Sequence, residues 1–144
     1  MLQGFLFSVL AGLFIALQSI FNARLGEAAG LWPSNAFVHG SGFLLALFIL
    51  LTVSSDLSLT SFTAVKPHYL LGGALGVGII FSVMQGVSLL GASFAIAVII
   101  VTQVLVTFVI NYFGIFGEPV IEITLTRIVG LVMMIAGFLL YQLH

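Results

Sequence analysis

Charged residues are scarce in this sequence, and cysteine is absent. Lys, Arg, Asp and Glu together make up 5% of the chain, whereas a soluble domain carries about 25% charged residues. So few charges could not keep a folded surface in water, which excludes a soluble globular domain. The lack of cysteine excludes disulfides and thiolate metal sites. A net charge of -1 gives no reason to expect nucleic-acid binding.

Long apolar runs take up most of the chain, 62% of which is hydrophobic. A transmembrane helix needs about 20 apolar residues, so the chain accommodates about five spans joined by short loops, with no separate soluble domain. The runs are continuous rather than alternating, which favours helices over a β-barrel. We therefore predict an all-α membrane protein, a single domain over residues 1–144 with transmembrane helices over residues 2–22, 32–53, 69–90, 92–113 and 125–143.

The charged residues lie in or beside the predicted connections. Arg24, Glu27 and Gly30 belong to the first connection, and residues 54–68 form the longest. Gly91 marks a tight turn between helices 3 and 4, because one unbroken helix over this region would be about twice as long as a bilayer accommodates.

Helix 1 carries small residues at intervals of four, a spacing that lets another helix approach closely: Gly4, Ser8, Gly12 and Ala16. Gln18 and Asn22 lie at the end of this face. They act either as hydrogen-bond partners between helices or as part of a binding site, and the sequence supports both interpretations equally.

Helices 2 and 3 contain further polar side chains. His39 lies well inside helix 2 and shares a stripe with Asn35. An ionisable residue within a membrane usually has a function because burying it is costly, although a neutral imidazole can simply hydrogen-bond to a neighbour. In the glycine-rich helix 3, Gly72 and Gly76 have the spacing of close helix contact, and Gln85 lies on another stripe.

Helix 4 has the most polar face, with Gln103, Thr107 and Asn111 at intervals of four. Lipid would not solvate these side chains, so they border the bundle interior or a watery cavity, or each bonds a neighbouring helix separately. In helix 5, Gly130 and Gly137 indicate a packing face without site chemistry. We therefore expect helices 1 to 4 to surround a cavity and helix 5 to be peripheral.

Catalytic motifs are missing from the sequence. No acid accompanies His39, and the chain has no metal-ligand cluster, phosphate-binding glycine loop or cofactor motif. We expect no enzymatic activity, no cofactor and no bound metal. A path for a small solute, lined by amides and hydroxyls, fits these residues better.

The order of several short motifs resembles the drug/metabolite transporter superfamily, in particular its short five-helix YdcZ-like family. The similarity covers the whole chain. The residues that carry it are residues 18–26, Gly91-Ala92, Gln103, residues 111–117, Arg127, Gly130 and Gly137. The resemblance implies half of an inverted-repeat transporter with ten helices, completed by a second five-helix unit of opposite orientation.

Two positions depart from related transporters. Small multidrug exporters use a membrane-embedded glutamate in their first helix, where Gln18 is the nearest polar counterpart in this chain. Relatives in the five-helix family often carry an aspartate where this chain has Asn111. Both departures argue against proton exchange through a carboxylate.

Orientation in the membrane is poorly fixed by charge. If the N-terminus is on side one, Lys66 and Arg127 also lie on that side and Arg24 lies on the other. The positive-inside rule needs a larger excess of Lys and Arg to choose one orientation. Either the chain inserts both ways, or a partner or the insertion machinery decides. An antiparallel pair would restore the inverted repeat that is common in secondary transporters.

Three functions are compatible with these features. The leading hypothesis is a multi-pass transporter of a small metabolite or drug-like solute, in the plasma (inner) membrane of a prokaryote, working as an antiparallel homodimer by alternating access. The alternatives are a dimeric passive ion channel and a non-transporting scaffold subunit. For the transporter, we predict one shared substrate cavity, because an unsatisfied amide in hydrocarbon costs ~2–7 kcal/mol. Its predicted lining is Gln18, Asn22, His39, Gln85 and Gln103.

Overall fold

The computed structural model describes residues 2–53 and 65–142. In these ranges the regular secondary structure is helical, with no strand, and comprises α1 (Leu2–Ala29), α2 (Leu31–Val53), α3 (Gly72–Leu90), α4 (Ala92–Phe113) and α5 (Leu125–Gln142). Short 3-10 helices occur at Pro67–Leu71, before α3, and at Ile115–Gly117. Five helical segments are long and apolar enough to cross a membrane. The all-α fold with five spans is therefore confirmed, and the inverted repeat stays a prediction.

The first helix is longer than the sequence predicts. It continues past residue 22 to Ala29, and its 28 residues span about 42 Å at ~1.5 Å per residue, more than the ~30 Å hydrocarbon core. The connection predicted around Arg24 and Glu27 is therefore helical, and only Gly30 separates α1 from α2. The count of apolar residues underestimates the length of this helix, because the end of the helix can extend into the polar interface, where its charged side chains are solvated.

Glycines in the left-handed region of backbone space interrupt the helices. Gly30 has φ 88° and Gly91 has φ 80°, a conformation that the Cβ of other residues disfavours. Gly91 breaks the helix at the predicted position, and the bounds of α2 and α4 lie close to the predicted ranges. Residue 143, the predicted end of helix 5, and most of the predicted connection over residues 54–68 lie outside the described residues.

The chain divides into two compact units, Met1–Leu89 (unit 1) and Leu90–His144 (unit 2). In unit 1, α1 packs against α2, and the core residue Met84 of α3 is fully buried. In unit 2, α4 packs against α5, with the rings of Phe94 and Phe138 stacked 5.4 Å apart. The hydroxyls of Ser93 and Tyr141 share a hydrogen bond between the same two helices. A single domain over the whole chain stays a prediction.

Large apolar side chains cover the surface of each unit. Phe5 and Leu44 in unit 1 are 66% and 65% exposed, and Leu140 in unit 2 is 66% exposed. A continuous apolar surface of this kind is unfavourable in water and favourable against lipid chains. Polar side chains within this apolar surface or buried beneath it are therefore the ones that define candidate sites.

Candidate functional site

Unit 1 buries a polar cluster at the start of α2. Ser34 and Asn35 are 1% and 2% exposed. The Asn35 amide nitrogen donates a 2.8 Å hydrogen bond to the backbone carbonyl of Val77 in α3. The Ser34 hydroxyl and the Asn35 Oδ1 have no hydrogen-bond partner among the described residues. Because leaving such atoms unpaired is costly, this end of α2 is a place where a further partner would be stabilising.

His39 lies one turn further along α2 and rests against α3. A Cβ added at Gly76 would lie 3.0 Å from the Cε1 atom of the imidazole, so the ring occupies the space that glycine leaves open. The Nε2 atom of His39 is buried and, within the described part of the chain, has no hydrogen-bond partner. Trp32 stacks on Phe81 of α3 with ring centroids 4.8 Å apart. The contact of His39 with Gly76 and the stacking of Trp32 on Phe81 both join α2 to α3.

Gln18 and Asn22 share a groove along α1. The groove has a volume of about 380 Å³ and is also lined by Phe14 and Phe21. Gln18 is exposed, whereas Asn22 is 7% exposed. The structure thus places these two predicted site residues together, on one face of one helix.

Unit 2 contains a cavity of about 470 Å³ between α4 and α5, hereafter the α4–α5 cavity. Its polar lining is Gln103, Thr107, Asn111 and Arg127. Apolar side chains form much of the remaining wall, among them Val104, Phe108, Leu131 and Met134. Binding sites for small molecules have volumes of about 300–1,000 Å³ and combine apolar walls with a few polar groups, which is the composition found in this cavity.

The end of α4 fixes the position of Asn111. Gly114 caps the helix with φ 62°, and its N–H donates to the Asn111 carbonyl at 3.4 Å. The N–H of Ile121 donates to the same carbonyl at 3.1 Å, which holds the following connection against the helix end. The side-chain Oδ1 of Asn111 is buried and has no hydrogen-bond partner in residues 2–53 and 65–142. Asn111 therefore has side-chain hydrogen-bonding capacity to spare at the cavity.

Arg127, in the first turn of α5, brings a positive charge to this cavity. Its Nη1 donates to the backbone carbonyl of Glu122. The ion pair found among the described residues joins Arg24 to Glu27 at 2.8 Å, so Arg127 has no carboxylate within ion-pair distance in that part of the chain. Helix α5 contributes Arg127, Gly130, Leu131 and Met134 to the lining of this cavity, and the expectation that helix 5 is peripheral and has no site chemistry stays a prediction. An arginine near a helix end resembles an ordinary interfacial charge in the sequence, and its neighbours across α4 are not visible there.

The predicted site residues divide between the two units. Gln18, Asn22 and His39 lie in unit 1 with Gln85, which is half-buried on α3, and Gln103 lines the α4–α5 cavity of unit 2. Their convergence on one cavity stays a prediction. Three polar residues outside that set stand out in the structure: Asn35, Asn111 and Arg127. Asn35 lies four residues before His39, and Asn111 lies four residues after Thr107. This helical spacing is the sequence signal that could have added both residues to the predicted site.

Five apolar spans, with amides and a guanidinium along a cavity between two of them, define a polytopic α-helical membrane protein that can hold a small solute. Residues 3–140 match the family described as "Putative inner membrane exporter, YdcZ", and the chain belongs to this family. The resemblance to the YdcZ-like family is thereby confirmed, and the protein is a multi-pass protein of the inner membrane. No curated protein and no solved structure matches the chain.

Proposed function

We propose that the protein transports a small metabolite or drug-like solute across the inner membrane, as an antiparallel homodimer that works by alternating access. The observation that carries this proposal is the α4–α5 cavity, where Gln103, Thr107 and Asn111 line a space of about 470 Å³ beside a helix apolar enough to span the bilayer. Membership of a family described as inner membrane exporters supports the same function.

The chemistry of the cavity favours binding over reaction. Its polar groups are two amides, a hydroxyl and a guanidinium, which orient a solute through hydrogen bonds. A reaction would call for a nucleophile or acid beside a positioned base, and the amides of Gln103 and Asn111 supply neither. We therefore propose transport without enzymatic activity and without a cofactor.

A second copy of the chain, in the opposite orientation, is the proposed partner. An odd number of spans places the two termini on opposite sides, and the Lys and Arg residues are almost balanced between the sides. The small-residue face of α1 is also available for contact. A Cβ added at Gly4 or Gly12 would meet no atom within 4 Å among the described residues, so a partner helix could approach closely there.

Labelling of single cysteines tests the antiparallel arrangement, and the chain has no native cysteine to interfere. Ala28→Cys reports the side that follows the first span, and Glu118→Cys reports the side that follows the fourth. With dual topology, about half of the molecules of each variant react with an impermeant maleimide added outside intact cells. Labelling of one variant completely and the other not at all would exclude the antiparallel homodimer and favour a separate partner chain.

Uptake into proteoliposomes tests the function itself. A transporter gives saturable uptake of a labelled solute and counterflow when the vesicles are preloaded with the same solute. A channel gives a much higher ion flux without saturation in the same concentration range. A scaffold subunit gives neither and purifies together with other chains. The last two outcomes would each replace the proposed function.

A further inference from the structure

We infer that the α4–α5 cavity binds the carboxylate of a small organic acid, with the Arg127 guanidinium as the anion-binding group. This assignment rests on the proposed transport function and adds the chemical class of the solute. It follows from the charge state of Arg127, from the amides beside it and from the apolar wall opposite.

Among residues 2–53 and 65–142, no carboxylate lies within ion-pair distance of Arg127. In the described residues, the side chain of Arg127 makes one hydrogen bond, to the backbone carbonyl of Glu122. A carbonyl group carries no net charge, so this bond leaves the positive charge of Arg127 unbalanced. A guanidinium has five N–H donors in a planar fork that matches the two oxygens of a carboxylate. Donors therefore remain for an anion at the cavity, and an anion is the ligand that this group would bind most strongly.

The amides along α4 can hold a second polar group of the same solute. Gln103, Thr107 and Asn111 follow one another at intervals of four and line the cavity together with Arg127. Asn111 has an unpartnered side-chain oxygen among the described residues, and rotation of its amide exchanges acceptor for donor. A hydroxyl or ammonium group near the carboxylate could therefore be bonded as well.

The rest of the cavity suits an apolar body. Phe108, Leu131 and Met134 line this part of the cavity, and their side chains contain no strong hydrogen-bond donor or acceptor. The volume of about 470 Å³ accommodates a single aromatic or branched aliphatic substituent.

A lipid phosphate is the other anion that could meet an exposed arginine near a helix end. A lipid headgroup stays at the membrane interface, so it would use only the positive charge of Arg127 and not the polar side chains further along α4. Gln103 lies two turns of α4 away from Asn111, about 12 Å along the helix, and also lines the cavity. Because the polar lining continues away from the helix end, it favours a soluble carboxylate over a lipid phosphate. Thermal stabilisation in nanodiscs of different lipid composition distinguishes these two anions.

Ligand-induced thermal stabilisation of the purified protein in neutral phosphatidylcholine nanodiscs tests the inference. The probes are phenylacetate, phenyllactate and L-phenylalanine, which share a carboxylate, and phenylalaninamide, which lacks one. We expect the carboxylates to raise the melting temperature and phenylalaninamide to leave it unchanged. Arg127→Gln should weaken carboxylate binding by at least about tenfold, since it removes the charge-assisted hydrogen bonds from the guanidinium to the carboxylate.

Two further variants keep the test decisive. Arg24→Gln removes an arginine that is already paired with Glu27 in unit 1, and it should bind the carboxylates as the unchanged protein does. Arg127→Lys keeps the charge but loses the planar fork, and we expect an intermediate affinity, which also serves if Arg127→Gln does not fold.

Three results would overturn the inference: equal binding of phenylalaninamide and the acids, undiminished acid binding in both Arg127 variants, or loss of acid binding when anionic phosphatidylglycerol replaces part of the lipid. The last would assign Arg127 to lipid headgroups. Transport of other solutes without acid binding would refute this inference and leave the proposed function standing. Acid binding without transport of any solute would refute the proposed function and leave this inference standing.

Discussion

The imidazole of His39 rests on the backbone of Gly76, so close that a Cβ at residue 76 would lie 3.0 Å from Cε1. This contact joins α2 to α3 at a point where one helix supplies a ring and the other supplies the space for it. Small residues in membrane helices commonly permit such close approach.

Gly76→Ala should therefore destabilise unit 1. The added methyl group forces the His39 ring to move, and overpacking of this kind costs ~1–3 kcal/mol. Gly78→Ala is the matched control, because its Cβ would meet no atom within 4 Å among the described residues. Thermal unfolding in detergent should show a lower melting temperature for Gly76→Ala and little change for Gly78→Ala. Equal shifts for the two variants would show that the contact is unimportant.

Removal of the Asn35 amide should weaken the packing of α2 on α3. Asn35→Ala deletes the 2.8 Å hydrogen bond to the Val77 carbonyl, and interhelical bonds in membranes contribute ~0.6 kcal/mol on average and up to ~1.7. Ser41→Ala is the control, since the Ser41 hydroxyl is exposed and, in the described part of the chain, donates to the nearby Val38 carbonyl alone. A decrease in unfolding free energy confined to Asn35→Ala supports the structure. No difference from Ser41→Ala would contradict it.

Replacement of Gln103 tests whether this side chain binds solute or only bonds a neighbouring helix. If Gln103 orients solute in the α4–α5 cavity, Gln103→Leu should lower the transport rate by at least about tenfold while the melting temperature stays close to that of the unchanged protein. If it bonds only a neighbouring helix, stability should fall slightly, by ~0.6 kcal/mol, with transport kinetics nearly intact. Gln3→Leu, near the exposed start of α1, controls for the loss of an amide elsewhere.

His39 offers a test of pH dependence. The neighbouring helix α3 and the rest of α2 contain no Asp, Glu, Lys or Arg, so His39 is the ionisable side chain of these two helices. If protonation of His39 controls transport, the rate measured between pH 5 and pH 8 should become independent of pH in His39→Gln. His68→Gln, before α3, is the control and should keep the pH dependence. An unchanged profile in His39→Gln would remove this residue from the mechanism.

The sequence by itself determines the number of spans and the positions of most helix ends. Hydropathy is a sum over neighbouring residues, so the energetic preference of each apolar run for lipid is readable without knowing its partners. The break at Gly91 follows from the same length argument, and the stripe of Gln103, Thr107 and Asn111 follows from the helical period. Each of these features depends on residues within a few turns of one another.

The tertiary structure decided the features that depend on contacts between distant residues. Asn35 bonds a carbonyl 42 positions away, His39 meets Gly76, and Arg127 joins the polar stripe of α4 from another helix. In a chain that is apolar almost throughout, hydrophobicity does not distinguish a face against lipid from a face against another helix. The partner of each polar side chain is therefore set by helix packing, and the position of Arg127 at the α4–α5 cavity becomes visible only when α4 and α5 lie side by side.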